Sequence, residues 1–349
     1  MKIAMDFNLQ ELEELIIALN EPKFRAKQLL DAMYNGKNYE DKININKSLK
    51  DKLSETKLIL QPVEIYKAKE SKDGSVKFLY KLCDGNIIEG VLLKYAFGNS
   101  ICVSTQVGCK MNCAFCASGL NGFVRNLTAG EIIGQVVAVN KYLGGTMKDR
   151  QISNIVLMGS GEPLDNFDNV ARFLAQITDE KLFNFSVRNI TISTCGLAPK
   201  IEKLADLGYN VTLSISLHAP NDTIRKQIMP IAKSYPISSI LESAKYYNLI
   251  TSRRITIEYT LIDGVNNSPS HARQLAELLK ELPCHVNLIK LNEVEGRTLK
   301  TPTINSCKQF LNILLNNQIS ATLRRSLGDD IEGACGQLRN KELSKKKGE

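Results

Sequence analysis

Three thiols fall within eight residues of this sequence, in Cys109-Lys-Met-Asn-Cys113-Ala-Phe-Cys116. Thiolates are soft donors, so a C-x3-C-x2-C spacing selects an iron–sulfur cluster or zinc over hard cations. A four-iron cubane held by three protein thiolates keeps one iron open to a non-protein ligand. A structural zinc site asks instead for a fourth Cys or His nearby. The next cysteine is Cys195, the first histidine is His218, and Cys102 lies seven residues upstream. The trio reads as an open-site iron–sulfur cluster, with zinc or three core thiols as the alternatives.

Two further segments have chemistry-bearing composition. Met158-Gly159-Ser160-Gly161-Glu162-Pro163 is a glycine-rich turn ending in a carboxylate, which permits close backbone approach and suits an ammonium group. Read alone it is only a strand-end turn. Cys335 sits in Gly333-Ala334-Cys335-Gly336, where the backbone has unusual freedom, although alone it could be a core thiol. Cys83, Cys195, Cys284 and Cys307 lack such context and read as small buried hydrophobes. His271, opening a helix, and His285, starting a strand, read as structural.

Nine cysteines, an odd count without a secretion signal, argue for metal or thiol chemistry and against a disulfide framework. Asp6 interrupts the stretch a signal peptide would need, so the expected location is the cytoplasm. No apolar run approaches the roughly 18 residues of a membrane span. The net charge of +8 permits a polyanionic partner without requiring one. Aromatic residues make up 6% with no Trp, which excludes a large stacking surface for single strands.

The elements that must position these groups follow from periodicity. Residues 1–60 read as three helices in LQELEELIIALN, FRAKQLLDAMYNG and NKSLKDKL. Pro62–Tyr95 turns strand-like, with turns at Asp73-Gly74 and Asp84-Gly85, and is expected to form a short antiparallel hairpin. Beyond residue 100, six β-branched runs (ICVST, NIVLMG, NITIST, VTLSIS, RITIEYTLI and HVNLIKL) each precede a helical stretch. A capping box, Thr128-Ala129-Gly130-Glu131, starts the first of these helices. Six crossover units imply a parallel sheet with helices outside, too few for a closed eight-stranded barrel. The expected fold class is α/β, a partial (β/α)6 barrel with ligands at the strand C-termini. The expected divisions are 1–60 helical, 61–95 hairpin, 96–326 core, and 327–349 a C-terminal segment carrying Cys335 and a basic tail.

The cluster spacing in the first loop of such a barrel, with GSGEP after the second strand, resembles the radical S-adenosylmethionine (SAM) superfamily. CVSTQVGC, NGFVRNLT, MGSGEPL, ISLHAPND and GDDIEGACGQL resemble one family within it more closely. These are the adenine carbon-2 methyltransferases of 23S rRNA, which also modify certain tRNAs; the likeness runs from residue 24 to 338. The sister carbon-8 family usually reads GEAL where this chain has Gly161-Glu162-Pro163-Leu164. Ser160 replaces a common Met, and Asn292-Glu293-Val294 replaces an Asn-Pro pattern.

The resemblance implies a [4Fe-4S] cluster on Cys109, Cys113 and Cys116, with SAM on its open iron. SAM would be held by Gly161, Glu162, Ser193, Ser216, Leu217, His218 and Asn292. It further implies that Cys335 carries the methyl group, that Cys102 resolves the adduct as a disulfide, and that Glu89 accepts a proton. By itself Glu89 would be a solvated strand residue. Carbon 2 of adenine lies between two ring nitrogens without a nucleophilic lone pair, which is why a radical route is needed. The partners implied are 23S rRNA, tRNA and a reductant such as flavodoxin or ferredoxin, with no membrane and a monomeric chain. Arg25, Lys27, Arg324 and Arg325 are candidate phosphate contacts. The competing readings are a carbon-8 or other radical SAM enzyme, and a zinc- or cluster-containing RNA-binding module without catalysis.

Overall fold

The computed structural model describes residues 2–331 and 333. Strand β1 (Lys2–Ile3) opens a small helical unit of α1 (Leu9–Ala18), α2 (Arg25–Tyr34) and α3 (Lys47–Glu55). Asn8 caps α1 through a reciprocal pair, its side chain accepting from the Glu11 N–H while the Glu11 carboxylate accepts from the Asn8 N–H. Leu12, Ile16, Leu29, Met33, Leu49 and Leu53 bury the facing stripes of the three helices. Strand β2 (Leu58–Ile59) then returns to pair in parallel with β1.

The segment expected as a hairpin is a three-stranded antiparallel meander, β3 (Val63–Glu70), β4 (Val76–Leu82) and β5 (Ile87–Tyr95). It does not stand apart from the core. Strand β6 (Gly98–Cys102) pairs antiparallel with β5 on one side and parallel with β9 (Asn154–Leu157) on the other. Between them lie the short pair β7 (Gln106–Gly108) and β8 (Phe123–Asn126) and the helix α4 (Ala129–Tyr142), which begins at the capping box read from Thr128.

Thereafter strands and helices alternate: α5 (Phe167–Thr178), β10 (Ile190–Thr194), α6 (Ala198–Asp206), β11 (Thr212–Ser216), α7 (Asp222–Ile228) and α8 (Ile237–Thr251). The chain continues with β12 (Ile255–Leu261), α9 (Pro269–Leu279), β13 (Cys284–Lys290), α10 (Ile304–Asn316) and β14 (Ala321–Leu323). The sheet runs β14-β13-β12-β11-β10-β9-β6-β5-β4-β3. Its parallel part has a seventh strand, β14, beyond the six expected; three residues are too few to show a period of two. The architecture is the open α/β barrel anticipated, and among the described residues no helix is long and apolar enough to cross a membrane.

Parallel strands covered on both faces are ordinarily apolar throughout. Here only one face is. Ile190 and Ile192, Leu213 and Ile215, Ile257 and Tyr259, and Val286 and Leu288 are buried in the hydrophobic core. Their alternates are Ser193, Ser214, Ser216, Glu258, Thr260 and Asn287, so the opposite face is polar.

At the head of the sheet, where β6 gives way to the cysteine loop, Gln135 from α4 replaces a missing strand neighbour. Its Oε1 accepts from the Ser104 N–H (2.8 Å) and its Nε2 donates to the Ser104 carbonyl (2.9 Å), in a fully buried setting. Gln135→Leu keeps the volume but orphans both backbone groups. It should cost about 2–4 kcal/mol of stability, read as a lower urea midpoint at unchanged m-value.

Candidate active site

The strands β7 and β8 flank the cysteine loop, and the Cys109 N–H donates to the Gly122 carbonyl (3.2 Å). Asn112 turns the chain at φ +48°, and the Ala114 N–H donates to the Ile228 carbonyl (2.8 Å), docking the loop on the end of α7. Cys109, Cys113 and Cys116 all line one cavity over the C-terminal ends of the parallel strands. Burial pushes the Cys109 thiol up to about 12. Burial also raises the Cys113 thiol, and the sulfurs of Cys116 and Cys109 beside it add to the rise. Bound metal reverses this preference by stabilising thiolates. The backbone N–H of Met111 directed at the Cys109 sulfur works in the same sense.

The donor set fits an iron–sulfur cluster. Among the described residues no three His, Cys, Asp or Glu side chains stand close enough to share a single ion, whereas a cubane spreads its thiolates over separate irons. The cavity has a volume of about 170 Å³ and opens to solvent at its mouth.

Gly161 and Glu162 line the same cavity. Gly161 has φ +108°, and a Cβ there would lie 2.6 Å from that of Gln106, so no other residue fits. The buried Glu162 accepts from the Cys195 N–H at one oxygen (2.7 Å) and from the Leu164 N–H at the other (3.0 Å). Burial raises its pKa, and these hydrogen bonds oppose the rise. Ser193, Ser216, His218 and Asn292 also line the cavity. Leu217 does not; its side chain is in the core and its carbonyl accepts from Arg225.

His218 takes φ +57°, and its Nδ1 accepts from the Thr260 N–H (2.9 Å), which leaves the proton of the neutral ring on Nε2. The Phe115 ring meets its edge at 4.6 Å.

Two charged residues of the site, Arg225 and Glu258, escaped the sequence reading, and Arg324, a candidate phosphate contact, joins them there. Arg225, on α7, is wholly buried and donates to the carbonyls of Cys195 (2.6 Å), Leu217 (3.2 Å) and Tyr235 (3.2 Å). Glu258 lines the cavity and accepts from Ser214 Oγ (3.0 Å) and Asn287 Nδ2 (3.0 Å); burial raises its pKa, and Arg324 opposes this. Arg324 lines the cavity as well. The available signal was polar alternation inside strands such as TLSIS and ITIEYT, where a parallel sheet should be apolar on both faces.

A second cavity adjoins the first. Val91, Leu93, Tyr95, Cys102, Val156, Arg325, Leu327 and Gly333 line it, and Met158, Ile289, Asn292 and Arg324 form a wall common to both. Cys102 is buried directly opposite Val91. Glu89 shares the face of β5 that carries Val91, Leu93 and Tyr95, because strand residues two apart point the same way. It is buried, not solvated, with Lys77 Nζ 3.7 Å away. Cys335 lies outside the described residues. Of the other cysteines, Cys195 and Cys307 are buried as expected, Cys284 is half-buried, and Cys83 is exposed because its turn projects it from the sheet. His285 is structural, bonded to Ser320 (2.8 Å) and Thr322 (2.9 Å). Arg25 and Lys27, on α2, line neither cavity.

Burial, seconded by Arg225, lowers the His218 pKa from 6.5 to about 3. In that window the unfolded chain binds the extra proton, so the contribution is complete above pH 6.5 and is lost as pH falls towards 3. The loss should reach up to about 1.4 kcal/mol per pH unit. Denaturant titrations of wild type and His218→Asn across pH 4 to 7 should show this extra slope in wild type alone.

Comparison with known proteins agrees with the geometry. Residues 103–279 match the Radical SAM superfamily, and residues 4–59 match the Ribosomal RNA large subunit methyltransferase N-terminal domain. A Clostridium perfringens (strain SM101) protein named probable dual-specificity RNA methyltransferase RlmN is 51% identical over 99% of this chain and 99% of its own. The protein of the same name from Clostridium botulinum (strain Okra) is 48% identical over 99% of this chain and all of its own. The crystal structure of a radical SAM methyltransferase from Sphaerobacter thermophilus superposes with a TM-score of 0.93, at 41% identity over 97% of this chain and 99% of that one. With three cysteines, a glycine-bounded carboxylate and a polar barrel face gathered at one cavity, and full-length likeness on both sides, the chain belongs to the RlmN family of radical SAM methyltransferases.

Proposed function

We propose that this chain methylates carbon 2 of an adenine in 23S rRNA and in the anticodon region of some tRNAs, through an S-methylated Cys335 and with two SAM consumed per methylation. One observation carries the reading: the thiol trio and Cys102 line two cavities that share a wall, and Gly333, two residues ahead of Cys335, lines the second. An RNA substrate is supported by the names of the relatives. Carbon 2 is supported by Pro163 in the Gly161–Leu164 segment and by Glu89, a buried carboxylate on the strand face that carries Val91 and Leu93.

Bound by Cys109, Cys113 and Cys116, a [4Fe-4S] cluster supplies the single electron that SAM cleavage requires, itself drawn from a reductant such as flavodoxin or ferredoxin. The other steps belong to this chain's own groups. Glu162 and the Gly161 backbone receive the methionyl end of SAM, and Ser193, Ser216, His218 and Asn292 position the remainder. The Cys335 sulfur receives a methyl group from one SAM and presents it to the base. Glu89 takes the proton lost from carbon 2. The Cys102 thiolate then attacks the Cys335 sulfur and forms a disulfide; the electron pair of the broken sulfur–carbon bond stays with the product carbon, which takes up a proton to become the methyl group. Residues 1–60 serve as an accessory RNA-binding unit, 61–95 as the β extension, 96–326 as the core and 327–349 as the catalytic segment of a cytoplasmic monomer.

The test is anaerobic turnover with SAM and an RNA fragment, following 5′-deoxyadenosine and 2-methyladenosine together. The 8-methyl isomer as product would replace carbon 2 with carbon 8. Stoichiometric zinc without a brown chromophore would favour a non-catalytic module. Alanine at Cys109, Cys113 or Cys116 should abolish cluster assembly and turnover, read as lost iron and lost visible absorbance.

The two distant thiols should fail differently. Cys102→Ala leaves every step up to the adduct intact, so protein-bound RNA should accumulate as a nuclease-sensitive band of retarded mobility in a denaturing gel. Cys335→Ala and the double variant should give no band, since the sulfur that bonds to carbon is gone. Equal adduct from both single variants, or none from Cys102→Ala under turnover conditions, would falsify this division of roles.

A further inference from the structure

The turn between β5 and β6 contains a residue that the fold does not require. Tyr95 pairs directly with Gly98, leaving Ala96 and Phe97 as the two central residues. Two-residue turns favour Asn, Asp and Gly at these places. Phe97 is none of these, and at 71% exposure its ring buries little. A local choice that breaks the turn rule without a packing gain points to a task outside the fold.

The ring has a defined place. It stacks on Tyr95 with centroids 4.8 Å apart and planes 8° from parallel. Tyr95 lines the cavity that holds Cys102, so the stacked pair leads from that cavity to solvent. The tip is also held firmly. Gly98 sits at φ +125° so close to Ser153 that an added Cβ would come within 2.2 Å of its Oγ. The Ser153 N–H donates to the Asn99 carbonyl (2.8 Å), and Asn99 Nδ2 donates to the Gln151 carbonyl (2.8 Å). A platform fixed in advance loses little freedom when a partner lands on it.

A single flat ring with no surrounding groove suits a planar partner more than an apolar helix or strand. Arg324 and Arg325 line the same cavity, which adds positive charge where the partner's backbone must pass. A planar group on an anionic backbone is an unpaired nucleotide, whose base stacks on aromatic side chains in single-stranded recognition. We propose that Phe97 is the stacking platform for an unpaired base of the RNA substrate adjoining the target adenine, with Arg325 facing its phosphate; this rests on the RNA-methyltransferase reading above. Stacking tolerates any base, so one ring can serve ribosomal and transfer RNA despite different neighbours around the target.

The test uses the cluster-loaded enzyme with a tRNA anticodon stem–loop transcript and a 23S rRNA fragment, each carrying 2-aminopurine beside the target adenine. Phe97→Ala should raise KM for both RNAs about tenfold, with a smaller change in kcat, and should abolish the fluorescence quenching seen when wild type binds. Phe97→Leu, apolar but not planar, should behave like Phe97→Ala, and Phe97→Tyr should restore both KM and quenching. Wild-type KM and quenching in Phe97→Ala, or rescue by Phe97→Leu, would overturn the platform while wild-type methylation keeps the functional reading intact. A cluster-loaded wild type that methylates neither RNA would instead overturn that reading, and the platform with it.

Discussion

Removing polar and charged groups from water is a heavy cost, and much of it falls around one cavity of this structure. Glu162, Glu258, His218 and Arg225 are buried at the ends of neighbouring strands, where an unpartnered ion would cost several kcal/mol. Each is partnered mainly by backbone or by neutral side chains. Arg225 takes three carbonyls, Glu162 two backbone N–H groups, His218 one N–H, and Glu258 a hydroxyl and an amide. These bonds run between consecutive strand-end loops, so the loops cannot move independently. Arg225 alone ties the chain after β10 to the chain after β11, and its helix carries the carbonyl that anchors the cysteine loop. The rigidity that a ligand site needs follows from satisfying buried polar groups.

The sheet's second half answers a different requirement. A thiol that attacks another must come within bonding reach of it. Because β5 continues the sheet antiparallel to β6, the register sets Cys102 opposite Val91, two residues along the same strand face from Glu89, although thirteen residues separate Cys102 and Glu89 in sequence. A detached hairpin would leave that register free to slip, and a slip of one residue would turn Glu89 to the other face. Backbone pairing of the meander to the barrel removes this freedom.

Much of this was legible from sequence where periodicity or spacing carried it. The helices of residues 9–55, the capping box at Thr128 and six of the seven parallel strands follow from local pattern, as does the gathering of Cys109, Cys113 and Cys116. What escaped was set by pairing across distance. Three residues at Ala321–Leu323 become a strand only because β13 offers an edge. The meander was mistaken for a hairpin because strand count within a β-rich stretch does not reveal what its last strand pairs with. Arg225 resembles any helical arginine in DTIRKQI, and nothing local marks the three carbonyls that await it. Glu89 reads as solvated until the register places it opposite Leu79 and next to Lys77.

The two cavities adjoin through four shared lining residues. A reactive radical must meet its target without meeting water, and a thiolate must stay nucleophilic without binding the metal. Met158 and Ile289 are apolar, and with Asn292 and Arg324 they line both the cavity of the cysteine trio and that of Cys102. Cys102 is near the cluster thiols in sequence but lines the second cavity in space. Among the described residues its surroundings include Val91, Leu93, Val156 and Leu327, an apolar lining. The cysteine trio and Cys102 therefore stand in adjoining spaces that have four lining side chains in common.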